Sequence, residues 1–518
     1  MLLGISVGNA TARRNLLYNM LKVLNNSLIS LEKEKIISLL VCGLLLFFVF
    51  FITLQATQFA VFLGILIGLL PLYYRKIFNF NTYLFFLIFS LILEKYSYYV
   101  GFSIRLPMLF ITGTLFVLLI QSLIKGHFEV KYNQYYLILI ILFLNYSLGA
   151  IWSINPVNVI RVSILYIFLF SLFLITIHVL NSEARMKCVL KYIVAVGIIG
   201  SLYGFYQIIA FVFGLPLRLP FTRYLKYHEI YNIGLTVFKL GNLRIPRINS
   251  TFNDPVLIGS FAGMSLMILC SQYCLLYVQN SLSTTKKLSF MLGFLILFSC
   301  VILTFSRSSW LGLFLGFVVL SLFLLKNDRT RKLMFKFFIV LLLIIVIVIL
   351  VYPPFKEMTI GRVTQAFDFS NISTAGHWKW LKVAIHAWSE SPLFGVGLNN
   401  FGEFYARNYQ ATTQAMAHSA YLSFLAETGI IGLILEMALI FTILRHFLLA
   451  LSHAKKLRDD NFYLMLVGLV SAYIVMLGSN ITYHFYTQFY VWFFNGISVA
   501  VSSYVLNQRL KTNGNFVQ

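Results

Sequence analysis

The chain has 518 residues, of which 60% are hydrophobic and only 11% charged, and its mean hydropathy is +0.86. This composition excludes a soluble globular protein and leaves no room for a sizeable soluble domain. The formal net charge of +24 would suit a nucleic-acid-binding protein, but the basic residues come in short clusters between apolar runs, so we expect no nucleic-acid partner.

Apolar runs long enough to cross a bilayer as helices recur along nearly the whole chain. They predict an all-α, polytopic membrane helix bundle of about 12 to 14 transmembrane helices, with a long, partly helical loop outside the membrane before the last helices. Fourteen spans are predicted, at 36–54, 57–74, 80–93, 106–124, 134–153, 160–180, 189–213, 256–279, 288–305, 308–325, 337–352, 419–444, 462–479 and 487–506.

The predicted spans divide the chain into four regions. Residues 1–35 are polar and basic, which predicts a cytoplasmic segment followed by a retained first span. Residues 36–213 are N-terminal transmembrane helices, 214–450 are a central region with long outer loops at 214–255 and 353–418, and 451–518 are the C-terminal helices and a cytoplasmic tail.

The distribution of basic residues predicts the orientation. With both termini in the cytoplasm, the leader and the inner joints hold 25 of the 40 Lys and Arg residues, as the positive-inside rule expects. Most of the others lie in the two long outer loops. These loops bind either anionic lipid headgroups or an anionic substrate at the outer face.

Neither a cofactor nor a metal is expected. The five cysteines fall within or at the ends of apolar runs and are interpreted as small packing residues. The outer loops contain no D-x-D or H-x-x-x-H cluster, and no Gly-rich phosphate loop is present. We also find no internal repeat of the kind that marks the paired halves of a secondary transporter.

Three stretches reach the same membrane surface under this topology: LRIPRINSTFNDP (243–255), LTFSRSSWLG (303–312) and residues 376–432. Arg307 lies in a very tight outer turn, an expensive position for an arginine unless it faces a polar cavity or an anion. A guanidinium matches the oxygens of a diphosphate. Arg244 and Arg307 can each instead reach lipid headgroups; we favour that interpretation for Arg244 and a functional one for Arg307.

His418 begins a span that also contains Glu427. A histidine can relay a proton, but a lone histidine at a helix start is more often an interfacial polar residue. A carboxylate inside a span needs a donor or a proton, so we expect Glu427 to make a structural hydrogen bond. The PLFGVGLNNF segment is expected to pack tightly at the interface.

These residues resemble the bacterial O-antigen ligase and O-antigen polymerase superfamily of integral-membrane glycosyltransferases. The matching features are R-x-x-S-T-F-x-x-P from Arg247, T-x-S-R-S from Thr304, P-L-x-G-V-G-L-x-x-F from Pro392 and H-x-x-Y-L-x-x-L-A-E-x-G-I-I-G from His418. The resemblance covers residues of roughly 240 to 450 and makes region 214–450 the catalytic region.

The resemblance implies transfer of a glycan from undecaprenyl diphosphate to an acceptor hydroxyl at the outer face of the bacterial inner membrane. Arg247 and Arg307 would hold the diphosphate and His418 would be the base or orienting group. The implied partners are the lipid-linked glycan donor, a glycan or lipid A core acceptor, the bilayer and other membrane proteins of polysaccharide assembly.

Two positions depart from the family pattern. Ser419 follows the histidine where the family usually has asparagine, and His377 stands where an arginine is common. A third cationic clamp could therefore come from His377, Lys379, Lys382 or Arg244.

The leading hypothesis is a polysaccharide or O-antigen repeat-unit polymerase. A ligase that joins the finished chain to lipid A core shares its donor, site and fold. A flippase or exporter and a non-enzymatic scaffold are the alternatives from other classes; a flippase should show two related halves and charges in a central cavity.

Overall fold

A computed structural model describes residues 80–93, 97–99, 103–125, 134–215, 237–240, 243–325, 330–333, 339, 364, 372–409 and 417–514. The predicted segment 1–35 and the predicted spans 36–54, 57–74 and 337–352 lie outside these residues, apart from residue 339.

The chain divides into two compact units. The first comprises Met1–Tyr83 and Thr112–Lys131, and in its described part the hydroxyls of Tyr83 and Thr114 are hydrogen-bonded. The second comprises Leu84–Ile111 and Tyr132–Gln518 and contains the helices and loops that form the site.

The described part of the chain is dominated by helices. Its strands form two antiparallel hairpins, β1 (Ser97–Tyr99) with β2 (Ser103–Arg105) and β3 (Val237–Leu240) with β4 (Leu243–Pro246). A short 3-10 helix, Gly149–Ile151, separates the third and fourth α-helices. The α-helices are α1 Phe80–Leu91, α2 Leu106–Lys125, α3 Gln134–Leu148, α4 Pro156–Val179, α5 Glu183–Phe213, α6 Pro255–Val278, α7 Thr284–Leu303, α8 Arg307–Leu324, α9 Ile372–Glu390, α10 Phe401–Tyr409, α11 Ala420–Leu457, α12 Asp460–Asn480 and α13 Phe489–Gly514.

Nine of the described helical segments are long and apolar enough to cross a membrane, and α1 and α2 contain shorter apolar stretches. The predicted all-α, polytopic bundle is therefore confirmed. Helices α9 and α10 form the described helical part of the long loop before the last three helices.

The predicted boundaries differ from the helices mainly at polar ends. Helices α4, α5 and α7 begin four to six residues before the predicted spans because Asn155, Ser182 and Ser283 cap them, each accepting a hydrogen bond from a backbone N–H of the first turn. Helix α11 continues to Leu457, so Arg445, Lys455 and Lys456, which follow the predicted span 419–444, lie on the same helix. Hydropathy marks the hydrocarbon core rather than the helix end.

The centre of the bundle is built by close contact between α8 and α12. The GLFLG sequence of α8 spaces Gly312 and Gly316 four residues apart, which puts both on one helix face. A Cβ at Gly312 would lie 2.5 Å from the Val475 carbonyl oxygen, and one at Gly316 would lie 3.0 Å from the Ser471 carbonyl oxygen. Helix α12 is thereby held firmly, together with the turn that follows it.

Helix α11 is broken near its start. Gly429 has φ 66° and ψ −169°, a backbone conformation that is essentially restricted to glycine. A break of this kind leaves backbone groups on both sides without their helical partners. Residues 391–400, which we call the glycine loop, supply those partners.

The glycine loop binds both sides of the break. Its Val396 and Gly397 N–H groups donate to the carbonyls of Ala426 and Glu427 at 3.0 and 2.9 Å. Beyond the break, the N–H groups of Ile430 and Ile431 donate to loop carbonyls, those of Pro392 and Leu393, at 2.9 and 3.3 Å. No Cβ fits at Gly395 or Gly429, where it would overlap the opposing backbone. The predicted tight packing of this segment is confirmed.

Glu427 completes this junction. Its carboxylate accepts hydrogen bonds from the backbone N–H groups of Asn399 at 2.9 Å and Phe401 at 3.2 Å, at the start of α10. The structural hydrogen bond predicted for Glu427 is confirmed, with a loop and a helix N-terminus as partners. The first turns of α11 and the α9–α10 segment are thus joined by both backbone and side chain.

Candidate functional site

Helices α6, α8 and α11 begin at the same end of the bundle, here called the site end. Asp254, Ser306 and Ser419 cap them, each accepting from a backbone N–H of the first turn. Ser309 Oγ donates to the Val256 carbonyl at 3.1 Å and so joins the starts of α8 and α6. Helix N-termini carry partial positive charge, so the site end favours anions even before its side chains are considered.

Arg247 is held by a buried segment that precedes α6. Ile248 packs into the notch left by Gly204, and its N–H donates to the Leu303 carbonyl at 3.2 Å. The buried amide of Gln207 donates to the Ser250 carbonyl at 3.0 Å and accepts from the Ser250 N–H at 2.8 Å. Arg247 itself donates from Nε to the Thr304 carbonyl at 2.8 Å. Its guanidinium is therefore fixed beside the α7–α8 turn.

Arg307 is the first residue of α8, directly after the cap Ser306, and is half-buried. A cation in the first turn of a helix is repelled by the helix dipole. An anion bound between the arginine and the helix N-terminus would offset this repulsion. The turn before it is rigid, because Thr304 Oγ1 donates to the Val301 carbonyl at 2.7 Å and Trp310 Nε1 donates to the same carbonyl at 3.1 Å.

His418 directly precedes the cap of α11 and is partly buried. The ring of Trp380, from α9, lies 6.3 Å from the imidazole centroid at a tilt of 44°. Trp380 packs in turn edge-on against Tyr405 of α10, at 4.8 Å. The Ala420 N–H donates to the Tyr483 carbonyl at 3.1 Å, which ties this helix start to the α12–α13 turn. His418 is thus held between the outer helices and the bundle.

The charged groups of the site interact with one another. Burial lowers the pKa of Arg247; the Asp254 carboxylate opposes this shift, the neighbouring Arg307 charge adds to it, and Tyr483 opposes it. Burial also lowers the pKa of His418, and Asp254 again acts in the opposite direction. Asp254 therefore lies within electrostatic reach of both Arg247 and His418. We call Arg247, Asp254, Arg307 and His418 the arginine–histidine cluster.

Three of the six described non-glycine residues with a positive φ lie in the segments that carry this cluster. Ser250, Phe305 and His418 have positive φ values of 52°, 47° and 48°, unusual for residues with a side chain. Each lies in one of the three segments that deliver the cluster. Strained backbone persists only where surrounding structure fixes it, and it is common at functional sites.

Ser419 has a defined structural role. Its side chain accepts from the Leu422 N–H at 3.4 Å as the cap of α11. Serine and asparagine are about equally good caps, so the substitution at this position preserves the helix start.

Of the residues considered for a third cationic clamp on the diphosphate, Lys379 on α9 instead contacts Tyr405 on α10. Its ammonium donates to the Tyr405 hydroxyl at 2.5 Å and lies 4.9 Å from that ring's centroid. Lys382 is exposed on α9. Arg244 is paired through its backbone with Lys239 in the β3–β4 hairpin, and His377 lies on α9; the side chains of both are outside the described residues.

Two members of the site were not singled out from the sequence. Asp254 had one signal, an acidic residue directly before the Pro255 helix start in a chain with only 16 acidic residues. No sequence signal marked Tyr483, because its position at the site depends on how α12 packs against the other helices. Within the described residues, no group of three His, Cys, Asp or Glu side chains could hold a metal ion.

Comparison with known families gives one match. Residues 292–437 match a family model described as O-antigen ligase, and no curated protein matches the chain. The match begins within α7 and ends within α11, so it includes Arg307, the glycine loop and His418, whereas Arg247 and Asp254 precede it. Residues 292–437 therefore match an O-antigen ligase domain, and this match supports the resemblance to the O-antigen ligase and polymerase superfamily.

Proposed function

We propose that this membrane glycosyltransferase transfers a glycan from an undecaprenyl-diphosphate-linked donor to an acceptor hydroxyl at the outer face of the inner membrane. The single observation that supports this most is the arginine–histidine cluster, in which two arginines and one histidine from separate segments meet at one end of the bundle. We favour a repeat-unit polymerase.

The two arginines suit the donor's diphosphate. Arg247 is fixed through Nε by the protein, and Arg307 stands at a helix N-terminus that itself attracts anions. A diphosphate bound between them would be neutralised by fixed charges, and because both are anchored little reorganisation would be needed during reaction. Asp254 restrains the positive charge at the site when no donor is bound.

His418 suits the role of the base. Since burial lowers its pKa, the imidazole is neutral at pH 7 and can accept a proton. The acceptor oxygen bonds to the anomeric carbon as its proton passes to His418. The bond between that carbon and the diphosphate oxygen breaks, and undecaprenyl diphosphate leaves with the electron pair. Two cationic clamps make the diphosphate a good leaving group, so no general acid is required.

The charge distribution supports an outward-facing site. Basic residues flank the opposite ends of the same helices, with Arg185 and Lys187 at the start of α5 and Lys286 and Lys287 in the first turn of α7. Lys455 and Lys456 close α11 at that end. By the positive-inside rule, that end is cytoplasmic and the site end faces the periplasm or exterior.

Polymerase and ligase differ in their acceptor rather than in this site. We favour the polymerase because the family's arginine is replaced at His377; Ser419, as an equivalent cap, does not separate the two. The described family match favours a transferase over a flippase or exporter.

Reconstitution tests the proposal. Purified protein in proteoliposomes is given undecaprenyl-diphosphate glycan alone or with lipid A core, and the products are separated by size. A ladder from donor alone supports the polymerase, and product only with lipid A core supports the ligase. No product in either case, from wild-type protein that is folded, overturns the transferase proposal. Movement of intact donor across the membrane without any new glycosidic bond would instead indicate a flippase.

A further inference from the structure

A cleft lies at the site end of the bundle, apart from the arginine–histidine cluster. Its volume is about 630 Å³, within the roughly 300–1,000 Å³ typical of ligand pockets. Trp152 and Ile154, from the connection between α3 and α4, form part of its lining. The α9–α10 segment provides the rest, including Glu390, Phe394 and Arg407.

The apolar wall of this cleft is a pair of fixed rings. Trp152 and Phe394 lie 5.1 Å apart at a tilt of 52°, and each is well exposed, at 39% and 44%. Trp152 Nε1 donates to the Gly395 carbonyl at 3.2 Å, so the indole is oriented by the glycine loop. The loop is in turn fixed on the break in α11. The Trp152 indole is therefore held in one orientation, with the Phe394 ring packed against it.

The cleft is also lined by polar residues, namely Glu390, Arg407 and Asn408. His386 lies 3.5 Å from the Glu390 carboxylate through Nε2 and is hydrogen-bonded through Nδ1 to the Tyr409 hydroxyl at 2.9 Å. Carboxylate, guanidinium and amide groups together offer both donors and acceptors in planar arrays.

This combination fits one ligand chemistry. A pyranose ring has an apolar C–H face that packs on an aromatic ring and a rim of hydroxyls that need both donors and acceptors. A lipid acyl chain would cover Arg407 and Asn408 without offering them a hydrogen bond, which is costly. We propose that the cleft is a carbohydrate subsite that binds glycan residues several sugars away from the bond being formed. This inference rests on the proposed glycan transfer.

The distance supports a distal role. Trp380 lies beside His418, and Glu390 follows ten residues later on α9, which corresponds to about 15 Å along a helix. The cleft is thus too far to contact the reacting sugar and near enough to hold the same glycan chain. Its contribution should appear only with long glycans.

The test compares short and long glycans in the reconstituted, full-length protein. Donors carrying one or four repeat units are supplied, and KM and product length are measured for Arg407→Ala and Trp152→Ala. We expect KM for the four-unit donor to rise about tenfold with each variant, as loss of one good contact would cause, while KM for the one-unit donor stays unchanged. Products should become shorter.

Matched controls separate binding from folding. Trp388 donates from its indole to the Pro392 carbonyl at 3.1 Å, in the same loop, but does not line the cleft. Trp388→Ala therefore loses an equivalent indole and hydrogen bond. Lys456→Ala removes an exposed cation at the opposite end. If the cleft variants match these controls with long glycans, the inference is overturned.

A binding measurement keeps this result separate from the proposed reaction. Oligosaccharides of four repeat units, released by acid from the lipid-linked donor, are titrated against wild type and Trp152→Ala while tryptophan fluorescence is followed. A saturable change that is lost in the variant supports the subsite even if no transfer is observed. Quenching of Trp152 by brominated lipid without protection by oligosaccharide shows a lipid contact and overturns it.

Discussion

Arg247 donates from Nε to the backbone carbonyl of Thr304 over 2.8 Å, three residues before Arg307. This bond joins the segment before α6 to the turn between α7 and α8. It sets the position of Arg247 relative to the turn that carries Arg307. The spacing of the two cations is therefore a property of the folded bundle rather than of either side chain alone.

The Arg247–Thr304 contact predicts that a positive charge at position 247 is not enough for donor binding and that an arginine is required. Arg247→Lys keeps the cation but loses the Nε bond and the planar fork. We expect the donor KM to rise roughly tenfold, and by up to about a hundredfold for Arg247→Ala, as expected for hydrogen bonds to charged groups. Steady-state kinetics with varied donor measures this, with Lys456→Ala as a charge-matched control. Wild-type KM in Arg247→Lys would contradict the proposed role.

His418 should affect turnover rather than donor binding. Removing a general base costs typically about 10²–10⁴-fold in rate. We expect His418→Ala to lower kcat within that range with an unchanged donor KM, and cells to accumulate lipid-linked donor. His178→Ala, an exposed histidine at the other end of the bundle, is the control. Full turnover by His418→Ala would remove the histidine from the mechanism.

The pH dependence should reflect the lowered pKa of His418. The base is active when neutral, so kcat at saturating donor is full at pH 7 and falls only as the pH drops through a value below 6.5. Burial also lowers the pKa of His484 to about 4, so the protein itself loses stability as the pH falls below 6.5. Unfolding measured at each pH separates this effect from the loss of kcat.

Asp254→Asn should shift the pH at which kcat falls on the acid side of the profile, here called the acid limb. The Asp254 charge raises the pKa of His418, so its removal shifts the limb to lower pH. Asparagine caps a helix as well as aspartate does, which preserves the start of α6. An unchanged limb, or one at higher pH, would show that Asp254 does not act on the base.

The cap of α11 gives a stability prediction. Ser419→Ala should lower the free energy of unfolding by about 1 kcal/mol, whereas Ser419→Asn should leave it nearly unchanged. Thermal unfolding in detergent measures both. If asparagine destabilises as much as alanine, Ser419 is not acting as a cap.

The break in α11 requires glycine. Gly429→Ala places a Cβ against the Leu393 backbone in a conformation that only glycine adopts readily, so we expect a loss of more than about 2 kcal/mol in unfolding free energy. Gly376→Ala is the matched control, because its Cβ meets nothing within 4 Å and α9 should gain up to about 1 kcal/mol from alanine. Equal effects of the two substitutions on the unfolding free energy would argue that the glycine loop does not pack against the break in α11.

Among the described residues, the apolar runs predicted the nine membrane-spanning helices, because each run is long enough to cross a bilayer as a helix. It placed the helix starts less well, since caps such as Ser182 and Ser283 are single polar residues outside the apolar run. Topology also predicted that Arg247, Arg307 and His418 share one membrane surface. The structure adds that the Arg247 backbone segment is bound to α5 and α7.

The remainder of the site depends on packing that no local pattern encodes. Asp254 has to serve as a cap and as a charge between Arg247 and His418, and only the assembled helices give it the second role. Tyr483 reaches the site because glycine contacts hold α12 against α8. The glycine loop suggested a tight turn, but its binding partner, the break at Gly429, lies more than thirty residues away.

The break at Gly429 has a consequence for engineering. The first turns of α11 share their backbone hydrogen bonds with the glycine loop, and the loop is continuous with α9 and α10. His418, the proposed base, therefore belongs to the same structural block as α9 and α10. A hybrid enzyme that borrows acceptor preference from a relative must take residues 372–431 together, with the crossover point placed in the intact part of α11 beyond Ile431. A hybrid joined inside the glycine loop would combine N–H groups from one enzyme with carbonyl groups from the other in this hydrogen-bonded junction.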